Sequence, residues 1–124
     1  MKTYKDLEIY QEGLRLFIKT HRASLLLPKT ETYELGSQLR RSSDSIVTNI
    51  VEGYGRRIFK NDFIKFLIYS EASNMETIHH LDKLINLYPN YRHALEELMK
   101  EYEILGARIH TFKNYVIQSW KTYK

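Results

Sequence analysis

The sequence predicts an all-α protein, an antiparallel up-down-up-down four-helix bundle. Three observations predict it. Leu and Ile recur at steps of three and four along most of the chain, the spacing that a 3.6-residue helix buries. The strongest punctuators, Pro28, Pro89 and the Gly53/Gly55 pair, cut the chain into four pieces of helical length. Strand-like alternation persists nowhere, and valine is confined to Val47, Val51 and Val116. Four amphipathic helices joined by short connections become antiparallel neighbours.

The first helix is expected over about residues 6–26, with Leu7, Tyr10, Leu14, Phe17, His21 and Leu25 on its inner face. Thr3 or Asp6 can cap it, and Pro28 stops it by pushing the preceding residue out of the α region. The second is expected over about residues 32–52, starting at Thr32, lined by Leu35, Leu39, Ile46 and Ile50, and closed by Gly53 as a positive-φ residue. The third runs over about residues 61–87, capped near Asn61 and lined by Phe63, Leu67, Ser70, Asn74, Ile78, Leu81 and Ile85. Tyr88-Pro89-Asn90 ends it, and Asn90 can cap the next helix. The fourth runs over about residues 91–120, lined by Leu95, Leu98, Tyr102, Leu105, Ile109, Phe112 and Val116. Its acids lie early (Glu96, Glu97, Glu101, Glu103) and its late residues are basic (Arg108, Lys113, Lys121, Lys124), a polarity that complements the helix dipole. Leu14, Phe17, Leu39, Ile46, Leu67, Ile78, Leu98, Leu105 and Phe112 are the expected core.

Composition bounds the function. The chain has 124 residues, one domain by length. Charged residues make up 27% and hydrophobic residues 43%, a globular rather than a disordered balance. There is no cysteine, which excludes disulfides, thiol nucleophiles and cysteine-ligated zinc. No uncharged run approaches the ~20 residues of a membrane span, and no apolar leader opens the chain. A soluble, cytoplasmic protein is expected. Nineteen Lys+Arg against fifteen Asp+Glu give a formal net charge of +4.

Two features of the second helix stand out. Gln38, Ser42, Ser45, Asn49 and Glu52 follow one another at helical steps and face one direction. Short polar residues are poor helix formers, so such a stripe points to close packing with internal hydrogen bonds. The third helix answers with Ser70, Ser73, Asn74 and Glu76. The stripe reads as a polar seam between two helices, as a subunit interface or as a ligand site. The second feature is basic: Arg40, Arg41, Arg56, Arg57 and Lys60 face only Asp44 and Glu52 between residues 40 and 60. Local pairing of Arg41 with Asp44 and of Glu52 with Arg56 would leave Arg40, Arg57 and Lys60 to meet an anion or a partner subunit.

The run Tyr33-Glu34-Leu35-Gly36-Ser37-Gln38-Leu39-Arg40-Arg41-Ser42, continued by Ser45, Asn49 and Glu52-Gly53-Tyr54-Gly55-Arg56, closely resembles a bacterial four-helix bundle family. That family is also called the 23S rRNA intervening-sequence proteins. A second family element is similar to Ser70-Glu71-Ala72-Ser73-Asn74-Met75-Glu76. Here Ala72 stands where the family often has Gly, and Ser70 where it often has Ala. Both positions stay small. The resemblance implies a bundle that assembles into a closed ring, usually a pentamer. It also implies genes within rRNA insertions or standing alone, and a related group that serves reverse transcriptases as accessory factors. No enzymatic activity is established for the family, and nucleic-acid binding is suspected of it.

Enzyme chemistry finds little support in the residues. A di-iron bundle needs two Glu-x-x-His pairs, and Glu76-Thr77-Ile78-His79 is one alone. Adjacent His79 and His80 diverge around the helix. Arg15 and His21 also diverge, and His21 falls on the apolar stripe, as a partly buried histidine. With no strands there is no phosphate loop after one. The expectation is a non-enzymatic chain with no metal and no cofactor. Its partners are expected to be copies of itself, with Tyr54, Tyr69, Tyr115 and Trp120 as interface candidates, and structured RNA or duplex DNA. Arg40, Arg41, Arg56, Arg57 and Lys60 would contact phosphates, helped by Lys121 and Lys124. The alternative is a protein-interaction scaffold with weak nucleic-acid contact.

Overall fold

The computed structural model describes residues 2–121. Four helices run α1 Glu8–Ser24, α2 Leu35–Gly55, α3 Lys60–Leu87 and α4 Arg92–Ser119, and no strand occurs among the described residues. Short 3-10 turns at Tyr4–Asp6, Lys29–Glu31 and Pro89–Tyr91 lead into α1, α2 and α4. The fold is all-α. Contacts between neighbours climb one helix as they descend the next. Ser42 meets Thr77 and Ser45 meets Ser73 across α2 and α3. Asn74 meets Tyr102 and Phe63 meets Phe112 across α3 and α4. Thr20 of α1 meets Tyr102 of α4, so the last helix returns beside the first.

The core is one apolar cluster to which every helix contributes, with Leu16, Leu39, Phe63, Leu67, Tyr102 and Ile109 fully enclosed. On α2, α3 and α4 the buried face is the one the periodicity marks, except that Leu35, Ile78 and Phe112 are half-buried against the cluster. On α1 the face is turned. Ile9, Gly13, Leu16, Thr20 and Ser24 point inward, whereas Leu14, Ile18, His21 and Leu25 are exposed and Phe17 is half-buried. Small residues explain the rotation. Gly13 lets α1 approach α2 closely: a Cβ there would lie 3.2 Å from Val47 Cγ2. The buried Thr20 hydroxyl finds its partner in the Tyr102 hydroxyl.

The ends of the helices differ from the sequence expectation. Thr3 caps the 3-10 turn, not α1: its hydroxyl accepts from Lys5 N–H at 3.0 Å, and Asp6 Oδ2 accepts from Thr3 N–H at 3.0 Å. Two backbone N–H groups, of Lys2 and Thr3, hold the Asp6 carboxyl below its ordinary range. The second helix begins at Leu35 rather than Thr32. Glu31 Oε1 accepts from Leu35 N–H at 3.3 Å, and Glu31 Oε2 accepts from the Tyr88 hydroxyl of the α3–α4 connection. Gly53 does not end α2; the helix continues to Gly55, and none of the described residues has positive φ. Gly53 serves packing instead, since a Cβ there would sit 3.0 Å from Phe66 Cβ and 3.2 Å from Phe63 Cδ1. Neither Asn61 nor Asn90 caps a helix: α3 starts at Lys60 and α4 at Arg92, both without a side-chain cap.

Candidate nucleic-acid interface and polar seam

The polar stripe of α2 faces α3, and its inner members form a hydrogen-bonded seam. The Thr77 hydroxyl donates to Ser42 Oγ at 2.9 Å, and Ser42 Oγ donates to Leu39 O at 3.2 Å. Ser45 and Ser73 hydroxyls lie 2.8 Å apart. Ser70 Oγ donates to Ile46 O at 2.8 Å, and Asn49 Nδ2 donates to Ser45 O at 2.8 Å. The buried hydroxyls of Ser42, Ser70 and Thr77 thereby each find a partner inside the bundle, as buried polar groups do. The stripe is not buried along its whole length. Gln38, Glu52 and Glu76 are exposed, and Asn49 is half-buried. Glu76 pairs with His80, Oε2 to Nε2 at 3.1 Å, not with His79 three residues on. Among the described residues no cluster of three or more His, Asp or Glu side chains is placed to hold a metal ion.

The basic residues divide into two groups. Arg40 is structural: its Nη1 donates to Ser24 Oγ at 2.9 Å and its Nη2 to Thr32 O at 2.6 Å. It ties the end of α1 to the start of α2. Arg41 is exposed on the flank of α2. Arg56, Arg57 and Lys60 sit together where α2 turns into α3, and the segment from Gly53 to Asn61 contains no acid. Among the described residues neither Arg41–Asp44 nor Glu52–Arg56 forms an ion pair; the basic partners of α1 are elsewhere, with Lys19 and Arg15 both on Glu101 at 2.8 and 3.1 Å. Those contacts, that of Lys19 foremost, hold the Glu101 carboxyl below its ordinary range.

Aromatic rings support the arginines of the turn. The Arg56 guanidinium lies 4.7 Å from the centroid of Phe66, and that of Arg57 lies 4.1 Å from Tyr54, a favourable placement of a cation on a π face. Arg57 Nη1 also donates to Tyr54 O at 3.0 Å, and Trp120 Nε1 donates to Arg57 O at 3.1 Å. Tyr54 is therefore buried rather than an interface aromatic, and Trp120 is half-buried on Phe63. Tyr69 and Tyr115 are exposed. Lys121 is exposed close to this end of the bundle, and Lys124 lies outside the described residues. Ile58 and Phe59, both exposed in the middle of the basic turn, did not stand out in the sequence because neither falls on a helix stripe. An apolar pair inside an acid-free run was the signal available.

A second surface lies between the start of α1 and the second half of α4. It is an open groove of about 680 Å³ lined mainly by Leu7, Ile9, Ile104, Ala107, Phe112 and Tyr115. No helix among the described residues is long and apolar enough to cross a membrane. In comparisons with known proteins, the family model of the 23S rRNA-intervening sequence protein matches residues 5–111, from the first 3-10 turn through most of α4. No curated protein matches the chain.

Proposed function

The chain belongs to the 23S rRNA-intervening sequence protein family, and from that premise we propose that it is a non-enzymatic, ring-forming homo-oligomer that associates with nucleic acid through charge. The observation that carries the reading is the α2–α3 turn. Arg56, Arg57 and Lys60 stand there without a carboxylate partner among the described residues. A guanidinium braced on a ring keeps its charge and is held ready for phosphate. Arg41 extends the basic surface along α2. Arg40 does not contribute, because its donors are used inside the bundle. Ring symmetry, with five subunits the count the family resemblance implies, would repeat this turn around an axis. The result is a distributed field that attracts phosphates without reading bases.

One observation favours a second reading, a protein-interaction scaffold. The α1–α4 groove and the exposed Leu14 and Ile18 offer apolar surface for association. Two measurements test the pair. Sedimentation equilibrium at micromolar concentration is expected to give a multiple of 14.9 kDa, and a monomer would refute the ring. Fluorescence anisotropy with labelled structured RNA and with duplex DNA is expected to show binding at about 50 mM salt, where phosphate contacts are strong. An absence of binding there leaves the scaffold reading in place.

A further inference from the structure

We propose that the α2–α3 turn holds an unpaired nucleobase, stacked on Phe59, with the adjoining phosphates on Arg56 and Lys60. The proposal rests on the nucleic-acid reading above and specifies its preferred ligand: single-stranded or looped segments, bound more tightly than closed duplex. Phe59 and Ile58 are each 63% exposed, although their neighbours on both sides are cations. A purely electrostatic patch needs no exposed aromatic ring, and an apolar protein contact is poorly served by three cations that have no carboxylate partner among the described residues. A nucleotide satisfies both, since it joins a flat π face to an anion.

The turn is also held in shape before any ligand arrives. Phe59 N–H donates to Arg56 O at 2.8 Å, and Arg57 N–H donates to Tyr54 O at 3.1 Å. The Trp120 indole, at the end of α4, fixes Arg57 O at 3.1 Å. The exposed ring is thus carried on a braced turn, which limits the ordering cost of binding. Arg56 is exposed, with one face of its guanidinium on Phe66. Being exposed, it can also meet a phosphate. Two apolar residues in a turn give little depth for insertion into a bilayer, while one aromatic ring is what a single base requires. The chemistry recognised is an unpaired base with its flanking phosphates, common to RNA and single-stranded DNA.

The test compares an RNA hairpin with an unpaired loop, a DNA hairpin of the same sequence, and a blunt RNA duplex of equal charge, by anisotropy titration with the full chain. The wild type is expected to bind the looped RNA more tightly than the duplex; the DNA hairpin shows whether the sugar matters. Phe59→Ala is expected to weaken hairpin binding about 5- to 150-fold, the range of one stacked base, while changing duplex binding less than about twofold. Phe59→Trp should retain hairpin affinity. Because Phe59 is exposed, the variants should melt like the wild type. Equal wild-type affinity for hairpin and duplex overturns the stacking site, as does an equal loss on both probes in Phe59→Ala. So does binding to anionic vesicles that depends on Phe59 without any preference for looped RNA. If the wild type binds none of the nucleic acids, the broader reading fails and this one with it.

Discussion

Replacing Gly106 by alanine sets helix propensity against packing, and the structure decides the sign. Gly106 lies within α4, where alanine is favoured over glycine by about 1 kcal/mol. A Cβ at Gly106, however, would sit 2.6 Å from Asn74 Nδ2 and 3.5 Å from its Cγ. Asn74 is 3% exposed, and its Nδ2 donates to Tyr102 O at 2.9 Å. The amide cannot stay, and among the described residues its Oδ1 is already buried without a partner. Moving it strands a buried donor, at about 1–3 kcal/mol, and overfilling a packed site costs about 1–3 kcal/mol more. After the propensity gain, Gly106→Ala is expected to destabilise by about 1–5 kcal/mol. Gly55 is the control. It ends α2, and a Cβ there meets nothing within 4 Å among the described residues, so Gly55→Ala should stabilise by about 0.4–1 kcal/mol. Urea unfolding followed by helical circular dichroism measures both, at one protomer concentration because association shifts apparent stability. In an Asn74→Ala background the penalty of Gly106→Ala should vanish. A Gly106→Ala protein as stable as the wild type, or a penalty that survives removal of the Asn74 amide, would refute the packing argument.

Three further outcomes follow from the same contacts. Arg40→Met should cost about 1–3 kcal/mol, because Ser24 and the Thr32 carbonyl lose their donor, whereas Arg41→Met should stay within about 0.5 kcal/mol; chemical denaturation separates them. Burial pushes the Tyr102 hydroxyl up to about 12 from 10.0, so the unfolded chain ionises first. Stability is then whole below pH 10 and falls as pH rises toward 12, by roughly 1.4 kcal/mol per unit, and the difference between wild type and Tyr102→Phe across that window isolates this residue. Asn49→Ala removes a donor from Ser45 O and Ser45 Oγ and should cost about 1 kcal/mol, while Glu52→Ala, exposed, should leave monomer stability within about 0.5 kcal/mol unless Glu52 lies in a ring contact, which sedimentation would reveal as dissociation.

The helices of this bundle are legible in sequence because large apolar residues at steps of three and four have one place to go. On α4 every residue of the stripe is buried except Phe112, which is half-buried against the cluster. The same logic turns α1 the wrong way. It favours Leu14 and Phe17 over Gly13, Thr20 and Ser24, although the small and hydroxyl residues are the ones that let α1 close on α2 and reach Tyr102. Gly53 is misread for a related reason. Glycine after an apolar stripe is the ordinary mark of a helix end, but close approach of α3 asks for the same residue. The Ser-rich stripe is visible in sequence as an oddity of composition, but its hydrogen-bond partners across α3 are visible only in the fold. The basic cluster was visible as charge, yet nothing in its spacing distinguishes Arg40, tied down by a serine and a carbonyl, from Arg56, open to solvent on a phenylalanine ring.

The most direct test of a charge-driven nucleic-acid contact at the α2–α3 turn is the salt dependence of affinity for duplex DNA, compared between the wild type and the Arg56→Glu/Arg57→Glu double variant. The wild type is expected to give a straight log–log plot whose slope reports roughly 0.9 per neutralised phosphate. The double variant is expected to lose both affinity and slope while keeping its helical spectrum and its sedimentation behaviour. Identical slopes and affinities in the two proteins, or no wild-type binding at about 50 mM salt, would contradict it.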